Sequence, residues 1–86
     1  MSDYLMTEAG IAVVAWDYTL TDSDTGLPIV GADVWATTDA GGGNMVAYET
    51  TNSFGVANFY LDPGTYYFWR KKAGYSFANP QTQVVT

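Results

Sequence analysis

The sequence predicts an all-β fold, namely a small antiparallel sandwich of two sheets with about seven strands. Residues with high strand propensity (Val, Thr, Tyr, Phe and Trp) recur in short runs, and several of these runs alternate apolar with polar residues. Gly, Asp, Asn and Pro cluster between the runs, as turns require. Because no segment repeats apolar residues at helical spacing, helices are not expected.

The first predicted strand covers residues 11–21, where large apolar residues occupy every second position. Four of them are expected to share one face of the strand: Val14, Trp16, Tyr18 and Leu20. The next segment, "TDSDTGLP" at residues 21–28, is rich in Asp and Gly and therefore predicts a turn.

Two further strands are predicted on either side of a glycine-rich loop. They cover residues 32–38 and 45–51, and "DAGGGN" at 39–44 predicts a flexible hairpin loop between them. This loop has no Lys and no following helix, so it is not expected to bind phosphate. "NSFG" at 52–55 then predicts a turn into the fourth strand.

The last three strands are predicted at residues 56–61, 65–71 and 81–85. "DPG" at 62–64 predicts a tight turn, because Pro presets φ at the second position and Gly accepts a positive φ at the third. "KAG" at 72–74 predicts another turn. Alternation along the strands predicts two inner faces, which contain Ala32, Val34, Ala36, Ala57, Phe59, Leu61, Tyr66 and Phe68.

The length of 86 residues predicts one domain, at residues 11–86, preceded by an N-terminal arm at residues 1–10. The arm has no basic region and carries Asp3 and Glu8, so no secretory signal peptide is expected. The longest apolar run, at residues 11–16, is far shorter than the roughly 20 residues that a membrane-spanning helix needs. A complete gene product is favoured over a domain excised from a longer surface protein.

Three basic and nine acidic side chains give a net charge of −6. All the positive charge lies in one run, Arg70, Lys71 and Lys72, beside several aromatic residues, a combination that also occurs in nucleic-acid sites. An acidic surface repels phosphate backbones and anionic lipids, and three adjacent cations do not outweigh nine acids. Neither nucleic acid nor a membrane is therefore expected as a partner, and the run is interpreted as the solvated end of a strand.

The chain has neither His nor Cys, so a serine nucleophile would lack its usual base and no thiolate metal site or disulfide can form. The acidic residues Asp22, Asp24 and Asp62 lie in predicted turns, where carboxylates commonly cap backbone N–H groups. We therefore expect no enzymatic activity, no catalytic residues and no cofactor.

The turn "DSDTG" at residues 22–26 begins like a calcium-binding loop, but its pattern departs from one in two places. Gly26 stands at the fifth position, and Asp33 stands at the twelfth, where Glu is expected. An Asx-type turn is the favoured interpretation, while a weak calcium site at Asp22 and Asp24 stays open.

Three segments carry a family resemblance: "DTGLPIVGADVWAT" at 24–37, "TNSFGVANFYLDPGTYYF" at 51–68 and "KKAGY" at 71–75. Together they resemble carboxypeptidase regulatory-like domains, which belong to the transthyretin-like (prealbumin-like) sandwiches, over residues 11–86. The resemblance implies an immunoglobulin-like, non-catalytic module of the kind present in adhesins, peptidases, outer-membrane proteins and viral structural proteins. The related hydroxyisourate hydrolases use histidines, which this chain lacks, so the resemblance does not imply that activity.

Four large aromatic residues are predicted to point away from the core: Trp35, Tyr60, Tyr67 and Trp69. A small sandwich does not need so many large aromatics outside its core, and Trp and Tyr are favoured at protein interfaces. These four residues are the predicted interface. The alternative is a register shifted by one residue, which would place some of them in the core.

The sequence thus predicts a structural or interaction module that packs on a larger assembly or on its own copies. A virion component, such as a capsid decoration or tail accessory protein, is favoured, or else an extracellular or cell-surface structure. The alternative is a carbohydrate-binding or adhesive module, because exposed Trp and Tyr rings also stack on sugars.

Overall fold

A computed structural model of the chain describes residues 13–86. The predicted arm at 1–10, and the first two residues of the predicted domain, lie outside the described residues. The described part contains six strands: β1 (Val14–Thr19), β2 (Asp33–Thr37), β3 (Met45–Thr50), β4 (Val56–Leu61), β5 (Gly64–Lys71) and β6 (Gln81–Val85). All six coincide with strands expected from the sequence, with ends that differ by at most a few residues.

The strands form two antiparallel sheets, as predicted. One sheet has four strands in the order β3-β2-β5-β6, and the other pairs β1 with β4. The expected count of about seven strands is one too many for residues 13–86. Between β1 and β2 the backbone closes a turn, in which Asp22 N–H donates to the Leu27 carbonyl at 2.9 Å. That segment therefore adds only one isolated bridge, Thr21 to Pro28, and no strand.

The hydrophobic core lies between the two sheets. All eight residues of the predicted inner faces are buried: Ala32, Val34, Ala36, Ala57, Phe59, Leu61, Tyr66 and Phe68. Phe68 lies at the centre of this core, with its ring centroid 4.9 Å from that of Tyr18 and 5.3 Å from that of Phe59. Because β1 and β4 supply Tyr18 and Phe59 while β5 supplies Phe68, these contacts join the two sheets.

The start of β2 is held beside the end of β3 by Thr51, a buried polar residue whose hydrogen bonds are made internally. Its hydroxyl donates to the Ile29 carbonyl at 2.7 Å and accepts from Ala32 N–H at 2.8 Å. A buried hydroxyl without such partners would destabilise the fold. These bonds fix where β2 begins, and therefore which of its side chains point outward.

The turn between β3 and β4 forms as the "NSFG" segment predicts. The side-chain oxygen of Asn52 accepts hydrogen bonds from the N–H groups of Phe54 at 2.8 Å and Val56 at 3.1 Å. Gly55 has a φ of +75°, and a Cβ atom there would lie 2.6 Å from the Leu20 carbonyl oxygen. Only glycine fits this position, where the turn meets the end of β1.

Candidate functional site: the outer face of the four-stranded sheet

The outer face of the four-stranded sheet carries a row of aromatic residues. Val34 and Ala36 are buried, so Trp35 between them points to the opposite side of β2. In the register of the sheet, Trp35 lies opposite Trp69 of β5 and opposite Tyr48 of β3. Directly opposed residues of antiparallel strands share a face, so these three residues form a continuous row across three strands, the aromatic row.

Tyr67 lies next to this row on the same face. It is two residues before Trp69 on β5, and its register partner on β2 is Thr37. Trp35, Tyr67 and Trp69 are each partly buried, which places them outside the core but not fully in solvent. For Trp69, part of this burial comes from the glycine-rich loop at residues 39–44.

Tyr60 lies elsewhere. It points outward, with 72% of its surface exposed, but it belongs to β4 and therefore to the two-stranded sheet. The four predicted interface residues are thus divided between the two sheets. Alternation along a strand predicts which side chains leave the core but not which sheet the strand joins, and this is why the sequence grouped Tyr60 with the others.

Tyr48 is the member of the aromatic row that sequence reasoning missed. It is 51% exposed, and its hydroxyl donates a hydrogen bond of 2.5 Å to the Asp33 carboxylate. This hydrogen bond to a carboxylate raises the pKa of the Tyr48 phenol above its ordinary value of 10.0. Nearly all of β3 is exposed, so its sequence carries no clear alternation from which an outward face could be assigned.

The glycine-rich loop at residues 39–44 is closed by hydrogen bonds, although the sequence predicts flexibility. The Asp39 carboxylate accepts from Gly43 N–H and Asn44 N–H, both at 2.9 Å. These two bonds hold the pKa of Asp39 below its ordinary value of 3.8. The Asn44 side chain also donates to the Thr38 hydroxyl at 2.7 Å. The loop therefore has a defined shape beside the aromatic row.

The same loop covers part of Trp69. The indole N–H of Trp69 donates to the Thr37 hydroxyl at 3.0 Å, and that hydroxyl donates to the Asp39 carbonyl at 2.7 Å. A Cβ atom on Gly42 would lie only 2.9 Å from Cζ2 of Trp69. The absence of a side chain at Gly42 thus allows the loop backbone to lie directly against the indole ring.

This contact predicts different costs for alanine at two glycines. Gly42 and Gly26 have nearly equal positive φ values, +79° and +75°, but the space around Gly26 is open. Both substitutions incur the backbone cost of about 1–2 kcal/mol for a left-handed alanine. We expect Gly42→Ala to cost about 1 kcal/mol more, because the new methyl group displaces Trp69. Urea unfolding followed by tryptophan fluorescence measures this difference, and equal losses would contradict the contact.

At the candidate calcium site, the Asp22 side chain is part of a turn. The Asp22 carboxylate accepts hydrogen bonds from the N–H groups of Asp24 at 2.8 Å and Thr25 at 3.2 Å, which is the Asx-type turn favoured by the sequence. Within residues 13–86 no group of three or more His, Cys, Asp or Glu side chains is arranged to hold a metal ion.

The three adjacent basic residues have different environments. Lys71 is exposed, and the Lys72 ammonium lies near Gly31. Arg70 is partly buried, and its guanidinium donates to neutral oxygens of Tyr18, Ala78, Asn79 and Gln81 at 2.7–3.2 Å. The Arg70 guanidinium is therefore used mainly in hydrogen bonds within the protein. As a result, Arg70, Lys71 and Lys72 do not form a continuous basic surface.

Comparisons with protein-family models, with curated proteins and with solved structures found no match to this chain. The resemblance to carboxypeptidase regulatory-like domains therefore stays a prediction. In the part of the chain that the structure describes, no helix is long and apolar enough to cross a membrane.

Proposed function

We propose that this protein is a non-enzymatic interaction module that packs on a larger protein assembly through the outer face of its four-stranded sheet. The observation that carries the proposal is the aromatic row, in which Tyr48, Trp35 and Trp69 lie opposite one another on three neighbouring strands. Trp and Tyr contribute more binding energy at protein interfaces than most residues, especially when a partner removes them from water.

The surroundings of the row also suit a protein partner. Asp33 and Lys71 are register partners on the same face, so charges of both signs border the aromatic surface. An apolar centre with a polar rim is the usual anatomy of a protein interface. The net charge of −6 and the internal use of Arg70 both favour a protein partner over a nucleic acid.

The assembly that we favour is a virion, in which the protein would serve as a capsid decoration or tail accessory protein, or else a surface structure. The support is the resemblance to sandwich domains that occur in viral structural proteins and adhesins. Such an attached module needs no catalytic groups, and the chain has neither His nor Cys.

Two measurements test this function: light scattering after size-exclusion chromatography of the whole chain at several concentrations, and mass spectrometry of purified particles from the source organism. We expect self-association or a fixed stoichiometry in a particle. A strictly monomeric chain that is absent from every purified particle would refute the proposal.

Two tyrosine variants identify the face involved. Tyr48→Ala removes an exposed ring from the aromatic row, whereas Tyr60→Ala removes an exposed ring from the other sheet. We expect Tyr48→Ala to weaken association about tenfold, corresponding to about 1.4 kcal/mol, and Tyr60→Ala to leave it unchanged. The reverse pattern would place the interface on the two-stranded sheet.

A further inference from the structure

A groove separates two loops on a part of the molecule distinct from the aromatic row. It has a volume of about 580 Å³ and lies between the β1–β2 connection, at residues 20–24, and the β5–β6 connection, at residues 74–78. Leu20 and Ile29, both buried core residues, contribute to its lining. Small-molecule sites in proteins commonly measure about 300–1,000 Å³, so the groove is large enough for a ligand.

One wall of the groove is aromatic. The rings of Tyr75 and Phe77 are stacked, with centroids 6.2 Å apart and planes inclined by 16°. Cζ of Arg70 lies 5.4 Å from the centre of the Phe77 ring, so Phe77 has neighbours in both Tyr75 and Arg70. Tyr75 is 41% exposed and therefore offers a ring surface on which a ligand can stack.

The opposite wall is polar. It consists of Thr21, Asp22, Ser23 and Asp24, which supply hydroxyl groups and two carboxylates. Part of the Asp22 carboxylate is used in the turn, where one oxygen accepts two backbone N–H groups. Asp24 is exposed at this wall, and its carboxylate oxygens are suitable acceptors for hydroxyl groups of a ligand.

Arg70 also lines the groove and is held in place by the protein. A guanidinium has five N–H groups. Nε donates to Asn79, Nη1 to the neighbouring oxygens of Tyr18 and Gln81, and Nη2 to Ala78. In the described structure this leaves one N–H of Nη2 that can donate to a ligand. Arg70 is thus held in place by the protein and keeps an N–H group for a ligand.

We propose that this groove binds a neutral carbohydrate, with a sugar ring stacked on Tyr75 and its hydroxyl groups hydrogen-bonded to Asp24 and Arg70. The apolar C–H face of a sugar fits an aromatic ring, and its hydroxyls both donate to carboxylates and accept from a guanidinium. Asp22 and Asp24, together with the net charge of −6, disfavour an acidic ligand. This site is independent of the proposed protein interface.

The test is an NMR titration of the ¹⁵N-labelled whole chain with three neutral probes, maltotriose, cellotriose and triacetylchitotriose, and one acidic probe, sialyllactose. We expect a neutral probe to shift the amide signals of residues 20–24 and 74–78. Absence of any shift with all three neutral probes at about 10 mM would overturn the proposal, because every Kd would then lie well above that concentration. Tighter binding of sialyllactose would overturn it as well.

Variants of the whole chain locate the binding. Tyr75→Ala is expected to weaken it about tenfold by removing the stacking ring, and Asp24→Asn to weaken it by removing a carboxylate acceptor. Tyr60→Ala removes an exposed tyrosine that lies outside both proposed sites, so it is the matched control and is expected to leave binding unchanged. The amide spectrum of each variant reports whether it is folded. If Tyr48→Ala alone abolished binding, the sugar would bind the outer sheet face and the groove assignment would be wrong.

Discussion

Replacing Phe59 with alanine is expected to lower the free energy of unfolding by about 3–5 kcal/mol. The Phe59 side chain is 1% exposed, and its ring centroid lies 5.3 Å from that of Phe68 in the opposite sheet. Its removal leaves a cavity where the two sheets meet, so both the burial of the ring and its contacts across the core are lost. Urea unfolding followed by circular dichroism measures the change.

The neighbouring residue provides a control on the same strand. Tyr60 is 72% exposed, so Tyr60→Ala is expected to change the free energy of unfolding by no more than about 0.5 kcal/mol. If Phe59→Ala does not fold, Phe59→Leu preserves most of the apolar volume and is expected to cost less than about 1.5 kcal/mol. A larger loss for Tyr60→Ala than for Phe59→Ala would show that Tyr60, and not Phe59, faces the core, as a shift of β4 by one residue would require.

The core was predictable from sequence because it depends on local alternation. In β4, Ala57, Phe59 and Leu61 are buried, while Asn58 and Tyr60 are exposed, as the period of a strand requires. Turn residues mark the ends of the strands independently of this alternation. Two local signals that agree predict a strand and its inner face without knowledge of the partner strand.

The assignment of strands to sheets was not predictable in the same way. Tyr60 and Trp69 both point outward, but they lie in different sheets because β4 pairs with β1 whereas β5 pairs with β2. That pairing depends on contacts between distant parts of the chain. The predicted interface therefore contained the correct outward residues of β2 and β5 but joined them to a residue of the other sheet.

The candidate groove was also beyond sequence reasoning. Its two walls come from residues 20–24 and 74–78, which are about 50 residues apart in the chain and meet only in the folded protein. Each wall alone looks like an ordinary turn. Asp24 was visible in the sequence as a turn residue and Tyr75 directly follows a predicted turn, but only the fold places them on the same groove.

The basic run shows a further limit of local patterns. Arg70 and Lys71 are adjacent and of like charge, yet one faces the inner side of the sheet and the other faces solvent. Arg70 lies opposite buried Val34, so its guanidinium is directed toward Tyr18 and the β5–β6 connection. The sequence interpretation of a solvated strand end applies to Lys71 and does not apply to Arg70.

Arg70→Ala is therefore expected to lower the free energy of unfolding by about 2–3 kcal/mol. Its guanidinium donates to the buried Tyr18 hydroxyl and to the Ala78 carbonyl, both at 2.7 Å, and thereby ties the β5–β6 connection to β1. Alanine leaves these oxygens without their charged donor. We also expect faster amide hydrogen exchange at residues 72–80, because that connection loses its hydrogen bonds to the Arg70 guanidinium.

Two further substitutions separate charge from geometry. Lys71→Ala removes the neighbouring charge from an exposed position and is expected to cost less than about 0.5 kcal/mol. Arg70→Lys keeps the charge but cannot reproduce the planar fork that reaches Tyr18, Ala78 and Asn79 together, so it is expected to restore less than half of the lost stability. If Arg70→Ala were no more costly than Lys71→Ala and exchange at residues 72–80 were unchanged, the guanidinium would not hold this connection. A full recovery with Arg70→Lys would show that its positive charge, and not its hydrogen-bond geometry, stabilises the fold.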